Sequence, residues 1–377
     1  SSQVRLPRIS VLQLMYRPKM ASFVAFRRHG SQLLNRTSFS SRRVEQPQLL
    51  ITGCARKASS AVSGDSEDKS AEAIAGLGAV QAARAGSPAF WRGLARKMEE
   101  APKKSKKKQQ QQAPFRAPCK DPYAECLAEA FLSSAARSAV MSSPGAEARS
   151  VSFSARAAFM DRFVMDAVGR RTRQVVLLGS GSDTRPFRLD VPPQLTYTEV
   201  DAASVHEVRS AAATTHSLRR RAAFRRLDFD IAQSTEVAPG TSGKSEEEVS
   251  EALVEALSPA VKAARGAGVL FLLDEALEAW PEAAQRAAVA AVAKAAPAGS
   301  VLVGPAPTFD AIPLLQEAGF QQTNLVNHEN LQKIFGLPIL EGTSMLVAMK
   351  DVEDRPGPKP PTGSRPGPSV AARELRL

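Results

Sequence analysis

The apolar positions of this chain form short continuous runs separated by stretches of helical spacing. Val175 to Leu178 is such a run and stops at Gly179, which is how a strand buried on both faces of a parallel sheet reads. Leu195, Tyr197, Glu199 and Val200 suggest a second strand ending in Asp201, and a third is placed near Phe224 to Phe229. Val269 to Leu273 and Val301 to Gly304 read as two more. Helical spacing lies between them, over 203 to 220, 251 to 264, Pro281 to Ala296 and Leu314 to Ala318, with Gly319 as a stop. Upstream, Ala71 to Pro88 and 150 to 168 have the same spacing, the second with Phe153, Ala157, Phe163, Val164 and Ala167 on one apolar face. Residues 233 to 250, with Pro239, Gly240, Gly243 and the acidic run Glu246 to Glu248, read as loop. Strands alternating with helices predict an α/β fold, a mostly parallel sheet with helices on both faces.

Charge divides the chain unevenly. The first 120 of its 377 residues hold 23 Lys and Arg against 7 Asp and Glu, and the rest hold 27 against 31. The net charge of +12 therefore describes a basic front end on a slightly acidic domain, an argument for targeting over nucleic-acid binding. From Met20 the chain is rich in Arg and Ser, and no acid precedes Glu45, the composition of an organellar transit peptide. Mitochondrion is the expected destination, with plastid as the alternative. Residues 1 to 70 are read as transit peptide and linker, 71 to 350 as the domain, and the Pro- and Gly-rich 351 to 377 as a disordered tail. Within the domain, 97 to 112 (KMEEAPKKSKKKQQQQ) reads as a solvated insertion. No aromatic residue interleaves its lysines, as stacking on nucleic acid would require.

No apolar run approaches the roughly eighteen residues of a membrane span. Cys54, Cys119 and Cys126 are too few for a disulfide framework and lack metal-ligand spacing, so no metal is expected. His29, His206, His216 and His328 are scattered and read as structural or surface residues.

The candidate chemistry sits after the first strand. Gly179 and Gly181 carry no Cβ, so the backbone there can turn sharply and approach a ligand. A glycine turn after one strand and an acid, Asp201, at the tip of the next is how open α/β sheets hold a nucleoside: main chain against one end, carboxylate on the ribose hydroxyls. A dinucleotide fingerprint would place glycine where Thr184 stands, and Asp183 would repel a pyrophosphate. A dinucleotide oxidoreductase is thus disfavoured, and a cofactor without phosphate fits better.

GSGSDTR at 179 to 185, Arg188-Leu189, and Glu199-Val200-Asp201 resemble the leucine carboxyl methyltransferase family and its O-methyltransferase relatives, whose pattern is G-A-G-x-D-T-R, then R-L, then E-V-D. Asp121-Pro122-Tyr123-Ala124 is similar to that family's D-P-Y-A. The resemblance implies a Rossmann-like class I methyltransferase, a seven-stranded sheet in which Gln321 to Val326 and Ser344 to Met349 pair as an antiparallel edge hairpin, with S-adenosyl-L-methionine as cofactor. It also implies roles. Arg156 would pair with the cofactor's methionine carboxylate through two parallel donors, and Asp161 is the acid the family places five residues later. Gly179 and Gly181 would contact the cofactor and Asp201 would take its ribose. Asp228 and Phe229 would flank the adenine, with Asp230 and Ile231 as a register alternative. The family's E-G-x-x-x-Y reads Glu275-Ala276-Leu277-Glu278-Ala279-Trp280, so the cofactor-side acid Glu275 is kept while glycine and tyrosine are lost. Arg209 stands where the family has lysine.

The activity so implied is methylation of a carboxylate on a small molecule or a protein. Such an acceptor is already ionised at neutral pH, so positioning can supply most of the acceleration and no catalytic residue is assigned. The alternative is a non-catalytic methyltransferase-like scaffold or binding subunit of an organellar complex.

Overall fold

The computed structural model describes residues 79–100, 117–170, 172–235, 244–273, 277–278 and 280–351. At its centre β1 (Gln174–Leu178), β2 (Thr196–Asp201), β3 (Ala223–Asp228), β4 (Leu270–Leu273), β5 (Val301–Pro305), β6 (Gln322–Val326) and β7 (Met345–Met349) form one sheet in the order β3-β2-β1-β4-β5-β7-β6. The pairs among β1 to β5 are parallel. β7 runs antiparallel between β5 and β6, so the two final strand segments pair as expected. β1 and β4 are buried at every position, which is why Val175–Leu178 and Leu270–Leu273 are unbroken apolar runs rather than alternating ones.

Around the sheet lie α1 (Ala79–Glu100), α2 (Ala124–Phe131), α3 (Ser134–Met141), α4 (Ala146–Gly169), α5 (Arg185–Arg188), α6 (Ala203–Thr215), α7 (Ile231–Thr235), α8 (Glu246–Ala263), α9 (Glu282–Ala295), α10 (Ile312–Glu317) and α11 (His328–Phe335). Because successive strand residues point to opposite faces, the core divides in two. Val176, Leu178, Val200, Phe271 and Leu273 pack with Leu253 and Leu257 of α8 and Val289 and Val292 of α9. Val175, Leu177, Tyr197, Leu270 and Leu272 pack with Phe159, Phe163 and Val164 of α4 and Leu331 of α11. A third cluster joins α1, α2 and α6 through Phe90, Trp91, Leu127, Phe131, Val205 and Val208.

Several boundaries differ from the pattern reading, each for a physical reason. The acidic run Glu246 to Glu248, read as loop, is the first turn of α8. Ser245 caps that turn by accepting from Glu248 N, and the Glu248 side chain accepts from Ser245 N in return. Three carboxylates there meet the positive end of the helix dipole. α1 continues to Glu100, four residues into the stretch read as insertion. Lys97 there pairs with Glu125, and Glu99 accepts from Ala117 N. The helix read over 203 to 220 ends at Thr215, and Ser217 beyond it has φ 53°. α2, α3 and α11 were not anticipated. Residues 1–70, 71–78, 101–112 and 352–377, on which the transit-peptide, insertion and tail readings fall, lie outside the described residues.

Candidate functional site

The carboxyl ends of β1, β2 and β3 meet beside the point where strand order reverses between β1 and β4, the place where open α/β sheets receive ligands. Gly179 and Gly181 turn the chain there with φ of 72° and 32°. At Gly179 a second constraint applies, since a Cβ would lie 2.6 Å from Cζ2 of Trp280. The tryptophan, buried against the core, thus occupies the room a side chain at 179 would need.

Asp201 closes the turn. Its Oδ2 accepts from Gly181 N at 2.7 Å and its Oδ1 from Ala202 N at 2.9 Å. Each carboxylate oxygen can accept more than one hydrogen bond, so capacity for hydroxyl donors is retained. On the next strand Asp228 stands in register with Asp201, its side chain 62% exposed. Phe229 N donates to Asp201 O at 2.8 Å, and the half-buried Phe229 side chain packs on the core beside it. In the alternative register Ile231 is a core residue at the start of α7, 2% exposed, and therefore offers no free apolar face.

Arg156 projects from α4 and is buried. Its guanidinium lies 4.2 Å from the centroid of the Phe153 ring and is ion-paired with Glu278, whose side chain is 43% exposed. The residue assigned to a ligand carboxylate thus holds a carboxylate of the chain itself, from the segment after β4. Glu275, with Ala276 and Ala279, lies outside the described residues.

Beneath the glycine turn is a buried charge network that the motif reading named only in pieces. Asp183 is ion-paired with Arg185, whose backbone N also donates to Asp183 Oδ1 at 2.7 Å. Arg209 of α6 donates to Ser180 O at 3.0 Å and to Asp183 O at 2.5 Å, and lies 3.1 Å from Glu199. From α1, Arg92 donates to Ser182 O at 2.9 Å and to Asp121 Oδ2 at 2.9 Å, while Ala89 N donates to Ser182 Oγ at 3.1 Å. Asp161 of α4 accepts from Arg185 Nε at 3.0 Å and from Arg188 at 2.6 and 2.8 Å.

Burial alone would raise the Asp183 pKa, but the guanidinium groups of Arg185, Arg209 and Arg92 outweigh it and hold the carboxyl below its usual range. The expected repulsion between Asp183 and a ligand phosphate therefore does not describe this turn: the side chain faces inward and its charge is met inside. Arg92 and Glu278 were missed by sequence reasoning. Arg209, Arg185 and Asp121 were noticed only as matches to the family pattern, not as members of one network.

Among the described residues, no group of three or more His, Cys, Asp or Glu side chains is placed to hold a metal ion. Burial pushes the Cys119 thiol up, so it is a packing residue rather than a nucleophile. No described helix is long and apolar enough to cross a membrane.

Residues 103–259 match the family model for leucine carboxyl methyltransferase. A protein of Mycolicibacterium paratuberculosis named "Putative S-adenosyl-L-methionine-dependent methyltransferase" is 35% identical over 92 residues, 24% of this chain and 29% of that protein. A protein of the same name from Mycobacterium marinum is 29% identical over 201 residues, 53% of this chain and 54% of the relative. The chain thus spans between about a third and a half of the length of these two relatives. The solved O-methyltransferase family protein from Burkholderia thailandensis aligns with 58% of this chain and 64% of its own, at 12% identity and a TM-score of 0.29, too low to bear on the site. Over residues 103–259, where the DPYA, glycine-turn and EVD segments all fall, the chain is similar to the leucine carboxyl methyltransferase family.

Proposed function

We propose that this protein is an S-adenosyl-L-methionine-dependent O-methyltransferase acting on a carboxylate of a small molecule or a protein. The observation that carries the reading is the convergence of Gly179, Gly181, Asp201 and Asp228 at adjacent strand ends, with Asp201 held by two backbone donors. Asp201 would take the ribose hydroxyls, Asp228 the adenine amino group with Phe229 against the ring, and Arg156 the methionine carboxylate. When bound, the cofactor would supply an electrophilic sulfonium methyl group for transfer to an acceptor oxygen, leaving its sulfur as a neutral thioether.

The chain's contribution to that step is alignment. An ionised acceptor brings its own lone pair, so no side chain has to remove a proton. Trp280 packed on Gly179 excludes water from the floor of the turn, and the network under it keeps the turn from shifting. Arg156 is paired with Glu278, and a ligand carboxylate would compete with that side chain for the guanidinium.

The test is titration calorimetry with S-adenosylmethionine, S-adenosylhomocysteine and NAD, followed by incubation of the protein with radiolabelled cofactor and an organelle extract. Binding of the first two but not NAD, and base-labile label on an acceptor, is the expected result. A folded protein that binds neither sulfur compound sinks the reading. Binding without transfer would replace the enzyme by a cofactor-binding scaffold. We further propose that Met20 to Val44 directs import into a mitochondrion, with plastid as the alternative; a reporter fused to residues 1 to 60 that stays diffuse in the cytosol would refute it.

A further inference from the structure

We propose that the outer edge of β3 is a docking edge for an extended acidic segment of a partner protein. Among the described residues β3 is the last strand of the sheet, so the backbone donors and acceptors on its outer side meet no further described strand. Its neighbours in the sheet are covered, yet Ala223, Phe224, Arg225, Arg226 and Asp228 are exposed and Leu227 is half-buried. Between residues 208 and 227 the sequence has six arginines and no acid, inside a domain that is otherwise slightly acidic.

Little of that charge is met locally. Arg209 is committed to the network beneath the glycine turn. Arg220 is 3.6 Å from the buried Glu199 and lies over the Phe224 ring at 3.5 Å. Among the described residues Arg221 meets one acid, Asp190, 3.9 Å away and 97% exposed, and Arg226 donates to Ser210 Oγ at 3.0 Å and meets no acid. Arg219 and Arg225 are exposed and have no acidic partner among the described residues. A screened pair such as Arg221 with Asp190 contributes little, so the edge presents a net positive row.

Geometry selects the class of partner. Arg225 and Arg226 are consecutive in a strand, in register with Thr198 and Glu199 respectively, and so project to opposite faces of the sheet. A nucleic-acid backbone lying on one face would meet one of them. An added strand lies in the plane of the sheet, sends its own side chains to both faces, and uses the free backbone groups as well. A second copy of this chain is a poor occupant, because pairing two β3 edges would set arginine against arginine. Charge on an edge strand also serves to prevent edge-to-edge association, and that simpler role is what the experiment separates. The inference does not depend on the methyltransferase reading.

The experiment is fluorescence anisotropy of the full chain with a short labelled Glu-Val repeat peptide, a copy of it with proline at alternate valines, and an oligouridylate. The expected result is binding of the repeat peptide, about tenfold weaker for the proline copy and weaker again at high salt. An Arg219→Ser, Arg225→Ser double variant should also bind the repeat peptide about tenfold less well with an unchanged melting temperature. Both side chains are exposed, so folding is not at stake. No binding of the repeat peptide, equal binding of the proline copy, or tighter binding of the oligouridylate would each overturn the proposal.

Discussion

The two sides of the glycine turn carry charge in opposite ways. Beneath it Asp183, Arg185, Arg209, Arg92 and Asp121 are almost wholly buried and meet one another. At its mouth Asp201 is half-buried, while Asp228 and Glu278 stand with 62% and 43% of their side chains in solvent. A buried carboxylate with its partners in place has nothing left to offer a ligand, and removing it strands the arginines. A carboxylate at the mouth can exchange water or a weak partner for a ligand group at small cost. The lower side should therefore govern stability and the upper side affinity.

The largest effect should come from breaking the lower side. Asp183→Ala leaves the buried Arg185 without its Asp183 partner, and stability should fall by about 3–5 kcal/mol, measured by urea denaturation. A loss below about 1 kcal/mol would mean that water reaches this network and that the contrast between the two sides is weaker than described. Next, Asp201→Ala should weaken S-adenosylmethionine binding by roughly ten- to a hundredfold, about 1.5–3 kcal/mol. Its stability loss should be smaller than that of Asp183→Ala. Calorimetry and denaturation on the same preparation check both, and a variant that loses stability while keeping affinity would move Asp201 to the structural side.

A smaller and opposite effect is expected at Glu278. Replacing it by Gln removes the internal carboxylate that holds Arg156, so cofactor affinity should rise by about two- to fivefold, discounted for the exposure of Glu278. Methylthioadenosine, which lacks the amino-acid carboxylate, should bind wild type and variant equally. Equal gains for both ligands would show that Glu278 acts on the nucleoside end instead.

The smallest effect concerns His206, which lies 3.4 Å from Leu227 O and 3.8 Å from Asp228. Burial holds its pKa below the usual imidazole value, an effect partly offset by the nearby Glu199 and reinforced by Arg226 and Arg209. The unfolded chain then binds a proton at higher pH than the folded one. Stability is therefore full above about pH 6.5 and declines as pH falls through the lowered folded value. His206→Gln should flatten that part of a melting-temperature profile; a profile identical to wild type would remove His206 from the pH dependence.

Much of the fold is legible in the chain because its central strands are buried on both faces. Val175 to Leu178 and Leu270 to Leu273 are apolar throughout, and no polar alternation hides them. The reading failed where a local signal has two meanings. Glu246 to Glu248 looks like a solvated acidic loop, and the same residues are good first-turn residues once Ser245 caps the helix. Asp183 looks like a charge facing a ligand, and the same side chain is a brace once it is buried against the Arg185 guanidinium. The place of Asp201 at the end of β2, beside the glycine turn, was by contrast legible from the strand pattern.

Residues near in sequence determined the strands, the positions of Gly179 and Gly181, and the place of Asp201 at the end of β2, since these follow from side-chain periodicity and backbone freedom over a few residues. The partners of the charges were decided only by tertiary structure. Arg156 meets Glu278 from 122 residues away and Arg92 meets Ser182 from 90 residues away. No local pattern encodes such pairs, because an ion pair depends on distance in space and on the water excluded around it, and both are set only when the helices close on the sheet.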